Sequence, residues 1–205
     1  MTRERYTRYP RPVLWLVPEG ELSFGGRTVE IAPFYLCTLP VTNVQLEAFT
    51  GTRQRPATAS GDDDPAIGVD LDLARAYCGE YARIARKAIR LPTEAEWEHA
   101  CRAGSRSRWF WGDDAGEADA WLWHRGNSGE TVPPLGAKSS NAFGLHAMLG
   151  GVWEWVEAGG EEGVVLRGGS WRTPLQEIGC GERRTVSAGE HVADAGFRIA
   201  RSLRG

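Results

Sequence analysis

Several things are scarce in this chain of 205 residues. Cysteine is one: Cys37, Cys78, Cys101 and Cys180 lie far apart and form no Cys-x-x-Cys pair. That spacing excludes a zinc knuckle or a dithiol redox motif written in local sequence. Long apolar runs are another. Near the N-terminus an arginine-rich lead-in precedes an apolar stretch, but Pro12 and Pro18 confine that stretch to residues 13–17. This is too short for a signal-peptide core or a membrane span. The expectation is a first strand in a cytoplasmic protein, with buried or half-buried thiols and no disulfide framework. Excess charge of one sign is also missing. The net charge is −3 and the isoelectric point is near 5.9, so no long-range field draws the protein to nucleic acid or to an anionic membrane. Repeats, low-complexity tracts and any compositional seam between domains are absent as well. The reading is one domain over residues 1–205, with its core at about 14–201.

Glycine and tryptophan are abundant. Twenty-six glycines and nine tryptophans describe a chain of tight turns with flat aromatic plates packed between them. A hydrophobic content of 41% and a charged content of 25% are those of an ordinary globular protein.

Along the chain, "PVLWLVP" and "LSFGGRTVEIAPFYLC" read as short strands, the latter a hairpin turning at Gly25 and Gly26. "PVTNVQLEAFT" reads as a helix capped by Thr42 or Asn43. "TGTRQRPATASGDDDPAIG" is a loop, and "DLDLARAYCGEYARIA" is a second helix starting at Asp70 or Asp72. A third opens in "RLPTEAEWEHACRAG", where Thr93 and Glu96 form a capping box. In that helix Glu94 and Glu98 read as carboxylates favoured by the dipole of the first turn, and Arg90 lies just before them. Residues 105–151 have little periodicity and must be held by side chains. "VWEWVEA", "VVLRGGSW" and "AGFRIAR" return to short strands. Helices grouped early beside a small, twisted, mostly antiparallel sheet make an α+β arrangement.

The segment "VLRGGSWRTPLQEIGCGERR" breaks a strand at two glycines and continues as an irregular stretch containing Cys180. Glu182, Arg183 and Arg184 stand close to Cys180 in sequence, and a neighbouring guanidinium can lower a thiol pKa. The plainer role for Cys180 is a small apolar thiol in the core. His99, His124, His146 and His191 are scattered, as hydrogen-bonded surface or core histidines are.

Taken in order, "VTNVQLEAF", "RLPTEAEWEHACRAG", "FWGDD", "NSGETVPPLGAKSSNAFGL", "GGVWEW", "LRGGSW" and "GFRIAR" resemble the formylglycine-generating enzyme (sulfatase-modifying factor) family over nearly the whole chain. The resemblance implies a C-type-lectin-like fold. It also implies an oxidative chemistry that uses copper held by two cysteines five residues apart, shortly after the RGGS phrase. Two thiolates suit Cu(I). Counting forward from RGGS, those positions hold Thr173 and Ile178; counting back from Cys180, they hold Ser170 and Leu175. Neither register supplies a thiol, so copper is not expected. Cys180 and Arg184 match a more widespread Cys-x-x-x-Arg phrase of the family.

Family members also hold a structural calcium around a phrase like the one here. In this chain its side-chain ligands are reduced to Glu154, beside the Gly150 and Val152 carbonyls, where calcium wants six or more oxygens. The competing role for Glu154 is a pairing with an arginine or a backbone amide. Iron-binding relatives use histidines from an added helical domain, for which this chain has no room.

By the resemblance, Trp153, Ser170 and Trp171 flank a groove, with packing as the alternative role for the tryptophans. Thr173, Gln176, Glu177, Glu182, Arg183 and His191 are the polar candidates for contact. The expectation is a binding module that offers its C-terminal loop, residues 171–192, to a protein or peptide partner. The alternatives are an enzyme of this family with other chemistry, or a regulatory or scaffolding subunit. Exposure of Cys180 in a cleft would favour an enzyme, and its burial a binding module.

Overall fold

A computed structural model describes residues 11–158, 164–187 and 189–203. Its strands are β1 (Leu14–Val17), β2 (Gly20–Phe24), β3 (Arg27–Ile31), β4 (Phe34–Cys37), β5 (Ile89–Arg90), β6 (Trp153–Val156), β7 (Val164–Arg167), β8 (Arg183–Val186), β9 (Ala195–Gly196) and β10 (Ala200–Ser202). The helices are α1 (Asn43–Thr50), α2 (Leu71–Ala85), α3 (Glu94–Arg102) and the single turn α4 (Ala118–Trp121). No helix among the described residues is long and apolar enough to cross a membrane.

Each long helix begins where side-chain chemistry can satisfy its first amides. Thr42 and Gln45 close a capping box on α1, Asp70 accepts from the Leu73 amide at 2.7 Å on α2, and Thr93 and Glu96 close a second box on α3. The hairpin β2–β3 turns through Gly25 and Gly26 at φ 59° and 76°, a left-handed pair that costs glycine little.

Where the sequence suggests one sheet, the strands form three: β1-β4-β10-β5, β2-β3 and β8-β7-β6-β9. All pairs are antiparallel except β6 with β9. Two strands escape the sequence reading. The dipeptide β5 carries little pattern, and β8 is a charged edge strand, Arg-Arg-Thr-Val, cut from what reads as loop.

One small and two large apolar clusters fill the interior of the described residues. One gathers Tyr77, Tyr81, Trp155, Leu166 and Phe197 under α2, and the other gathers Phe34, Leu36, Trp97, Ile178 and Cys180 under α3. Side chains of this size, fully buried, contribute about 1.5–3 kcal/mol each. The irregular residues 105–151 are indeed held by side chains. Asn141 is buried; it donates to the Ala100 and Cys101 carbonyls at the end of α3 and accepts from the Phe143 and Leu145 amides. One side chain thereby stitches a loop to a helix terminus.

Candidate functional site

The segment after β7 starts at Gly168 and Gly169, with φ of 96° and 77°. A side chain at Gly169 would place its Cβ 2.8 Å from Ile178 Cγ1, so the chain turns tightly here only because the position is bare. Ser170 follows. It is fully buried, its Oγ lies 2.5 Å from Asp194 Oδ2 and 3.3 Å from Thr173 Oγ1, and its amide donates to Thr173 Oγ1 at 3.0 Å. Trp171 packs in a small apolar cluster with Ala59, Ile67, Val132 and Val152.

Beyond Thr173 the path of the chain is set by donors aimed at its carbonyls. The Arg125 amide reaches Thr173 O at 3.0 Å, Arg108 Nη2 reaches Gln176 O at 2.5 Å, and Trp109 Nε1 reaches Ile178 O at 2.8 Å. Arg167 Nη2 reaches Cys180 O at 2.7 Å, and its Nη1 reaches Gly181 O at 3.3 Å. Arg167 is itself buried and held by carboxylates of α3: Glu98 Oε2 at 2.5 Å and Glu94 Oε1 at 3.2 Å. Glu98 also pairs with Arg102 at 2.7 Å, and Glu94 with Arg183 at 3.0 Å. Of the two, only Glu94 lies in the first turn of α3, with Glu98 one turn on, and neither serves the helix dipole alone. They hold the cation that fixes the base of the loop. A buried ion pair of this kind is costly to break from one side, by about 3–5 kcal/mol.

The structure divides the candidates for contact into two groups. Trp153, Ser170, Trp171 and Thr173 lie inside the protein, whereas Gln176, Glu177, Glu182, Arg183 and His191 are exposed. Arg183 is also a strand residue, on β8 beside β7, and its side chain leans on Glu94. Ile178 is buried in the core under α3. Arg108, Trp109, Arg125 and Arg167 are the residues that sequence reasoning missed. Their partners are backbone carbonyls far along the chain, and only the arginine before the paired glycines offered a local hint.

Cys180 is fully buried, with its Sγ 3.5 Å from Cys101 Sγ. The nearby guanidinium of Arg167 binds the Cys180 carbonyl. Burial in an apolar surrounding, followed by the neighbouring Cys180 thiol, raises the Cys101 pKa well above that of a free thiol.

The residues named for calcium do not fit it. Glu154 is fully buried; Arg198 Nε reaches Oε2 at 2.7 Å, Arg198 Nη2 reaches Oε1 at 2.7 Å, and Trp97 Nε1 reaches Oε2 at 2.8 Å. Both oxygens of the carboxylate are taken and its charge is already paired with a guanidinium, so Glu154 has none left for a calcium ion. Arg198 completes its own bonding on the Cys37, His146 and Ala147 carbonyls. Among the described residues no three His, Cys, Asp or Glu side chains gather as a metal site.

Comparison with known proteins agrees with this architecture. Residues 3–203 match the family model described as sulfatase-modifying factor enzyme 1-like domain. A protein named inactive C-alpha-formylglycine-generating enzyme 2 from Bos taurus is 36% identical over 121 residues, covering 52% of this chain and 38% of that protein. Formylglycine-generating enzyme from Bos taurus is 30% identical over 170 residues, covering 67% and 44%. Hercynine oxygenase from Mycolicibacterium thermoresistibile is 33% identical over 169 residues, covering 67% and 36%. The chain thus spans less than half the length of these relatives. Among solved structures, Treponema denticola variable protein 1 superposes with a TM-score of 0.81 at 21% identity, covering 92% of this chain and 94% of that one. PvdO from Pseudomonas aeruginosa superposes with a TM-score of 0.81 at 24% identity, covering 94% and 95%. From motif order, architecture and this match over nearly its full length, the chain belongs to the sulfatase-modifying factor enzyme 1-like domain family.

Proposed function

We propose that this chain is a non-catalytic binding module that presents the outer face of residues 171–192 to a protein or peptide partner. The observation that carries this reading is the burial of Cys180. A thiol with no exposed surface, facing a second buried thiol, is placed to pack and not to react. In neither register of the family resemblance, Thr173 with Ile178 or Ser170 with Leu175, do the residues expected to hold copper offer a thiolate. Gln176, Glu177 and Glu182 turn to solvent from a backbone that is clamped beneath them. A loop held this way can bind with little further loss of backbone freedom. That a related protein is named inactive is consistent with this reading.

An enzymatic reading has one feature in its favour, the 2.5 Å hydrogen bond between Ser170 and Asp194. Ser170 is fully buried, however, so a substrate would reach it only after the loop had opened.

The test is a Cu(I) titration against a competing chelator, on the natural chain and on Cys180→Ser, with a search for oxidation of thiol-containing peptides. The module reading expects no copper bound above the chelator by either protein and no turnover. Tight one-to-one binding that disappears in Cys180→Ser would overturn it.

A further inference from the structure

Two of the histidines, His99 and His146, point a ring nitrogen at a carbonyl, Pro18 O at 3.0 Å and Lys138 O at 3.0 Å. A carbonyl only accepts, so that nitrogen carries a proton whether the ring is neutral or charged. His124 is different. Its Nδ1 accepts from the Gly126 amide at 3.1 Å, and an amide only donates, so this bond exists only while Nδ1 keeps its lone pair. Histidine is the side chain whose charge changes between about pH 5 and 8. Protonation at Nδ1 removes the bond and sets two N–H groups against each other.

The turn around His124 is built on that bond. A side chain at Gly126 would place its Cβ 2.7 Å from His124 Cε1, so the backbone closes on the ring because the position is bare. The His124 amide donates to Asn127 Oδ1 at 2.8 Å, and its carbonyl accepts from the Asn127 and Ser128 amides at 3.0 and 3.1 Å. Asn127 in turn donates to Asp119 Oδ1 at 2.7 Å and to Leu122 O at 3.1 Å. Closed in this way, the turn presents two donors to the segment after β7: the Arg125 amide to Thr173 O at 3.0 Å and Ser128 Oγ to Trp171 O at 2.8 Å. The charged groups that meet the turn are its own exposed Arg125, Lys138, which donates to the Asp119 carbonyl, and Asp119 of α4, whose Oδ1 lies 3.6 Å from His124 Nε2. That carboxylate stands at the nitrogen opposite the one Gly126 binds, so it draws a charged ring away from the turn.

We propose that His124 is a pH-operated catch on the C-terminal loop: the neutral ring closes the 124–128 turn onto Trp171 and Thr173, and the protonated ring moves toward Asp119 and opens it. The side chain of His124 is 14% exposed, so a proton reaches the ring without unfolding of the domain. Asp119 is 77% exposed, and the pair it forms with a charged ring is a surface one of small worth. The opened turn is thus loosened and not refixed. The Gly126 bond is complete while the ring is neutral and is lost as the pH falls. Opening releases two holds at the start of the segment and leaves those made by Arg108, Trp109 and Arg167, so residues 171–173 loosen while the protein stays folded. On the binding role proposed above, the grip of the loop on its partner would then vary with pH; the catch itself is independent of that role and is read from the amides of the turn.

The experiment is amide hydrogen exchange of the whole chain, followed by NMR from about pH 8 to about pH 5, with each rate divided by its intrinsic value at that pH and the His124 ring titrated alongside. The Arg125 and Gly126 amides are expected to lose protection about tenfold as the ring takes up its proton, while the amides of α2 keep theirs. His124→Asn places a carbonyl oxygen where Nδ1 stands, an ordinary acceptor for an amide two positions on that takes up no proton. Protection at Arg125 should then be the same at both ends of the range. Asp119→Asn keeps an oxygen for Asn127 and removes the charge, and it should move the ring titration and the loss of protection together to lower pH. Thermal melts check that both variants fold. Protection at Arg125 that does not change with pH in the natural chain, a loss out of step with the His124 titration, or a loss that persists in His124→Asn overturns the proposal.

Discussion

The base and the rim of the segment after β7 are built from different interactions, although they belong to one stretch of chain. At the base, Ser170, Trp171 and Thr173 are buried, Gly169 leaves room for Ile178, and Arg167 spans from α3 carboxylates to the Cys180 and Gly181 carbonyls. At the rim, Gln176, Glu177 and Glu182 face water, and the ion pair of Arg108 with Glu182 at 3.3 Å is a surface pair of small worth. The difference teaches that the base carries the stability and leaves the rim to the recognition proposed above. The base should respond to mutation as a core does, and the rim as a surface does.

The largest effect should come from Arg167→Ala. It leaves Glu94 and Glu98 charged and buried without their shared partner and frees the Cys180 and Gly181 carbonyls. The expected cost is about 3–5 kcal/mol, seen as a melting temperature lower by roughly 6–20 °C. A loss under 1 kcal/mol, measured by urea denaturation, would show that the base is not held as described.

Alkaline pH should weaken the interior next. Burial raises the Cys37 thiol to about 11 and the Cys78 thiol to about 12, and it raises Cys101 as well. These thiols stay protonated in the folded protein, while in the unfolded chain they ionise near pH 9. Their contribution is complete below pH 9 and is lost as the pH rises toward the folded values. Melts between pH 8 and about 10.5 should show a progressive fall that Cys78→Ala reduces in slope. Iodoacetamide should leave all four thiols unmodified at neutral pH until denaturant is added, since all four are buried.

Gly169→Ala should cost about 1–3 kcal/mol, through overpacking against Ile178 and a left-handed φ. Circular dichroism in denaturant would check it. Smallest of all, Gln176→Ala and Glu177→Ala should change stability by no more than about 0.5 kcal/mol while weakening capture of the partner proposed above. A rim substitution that destabilised the protein as much as Gly169→Ala would erase the distinction between base and rim.

Much of the fold was legible because its signals are local. Thr42, Asp70 and Thr93 announce their helices within three residues, and Gly25-Gly26 announces its hairpin. The site was legible only in outline. Glu94 and Glu98 read as carboxylates of a helix start, although Glu98 lies beyond the first turn, and their partner Arg167 comes from β7, which spacing could not reveal. The resemblance puts Ser170 and Trp171 beside a groove, yet both are buried, and Asp194 closes over the serine. Glu154 was correctly weighed against an arginine, but nothing in its neighbourhood pointed to Arg198, 44 positions away. β8 carries no alternation to reveal it, since an edge strand is recruited by β7 and not by its own apolar residues.

The donors that hold the loop, from Arg108, Trp109, Arg125 and Arg167, act on carbonyl groups, and a carbonyl is the same whatever residue carries it. The frame therefore recognises where the chain runs and is blind to what is written there. Residues 176 and 177 can be rewritten with little effect on the fold, and 182 at the loss of one surface ion pair, so on the binding role proposed above new specificities can accumulate by mutation with little matching loss of folded protein. A randomised library at these three positions should yield folded members about as often as the parent sequence does, which would make the domain a ready display frame.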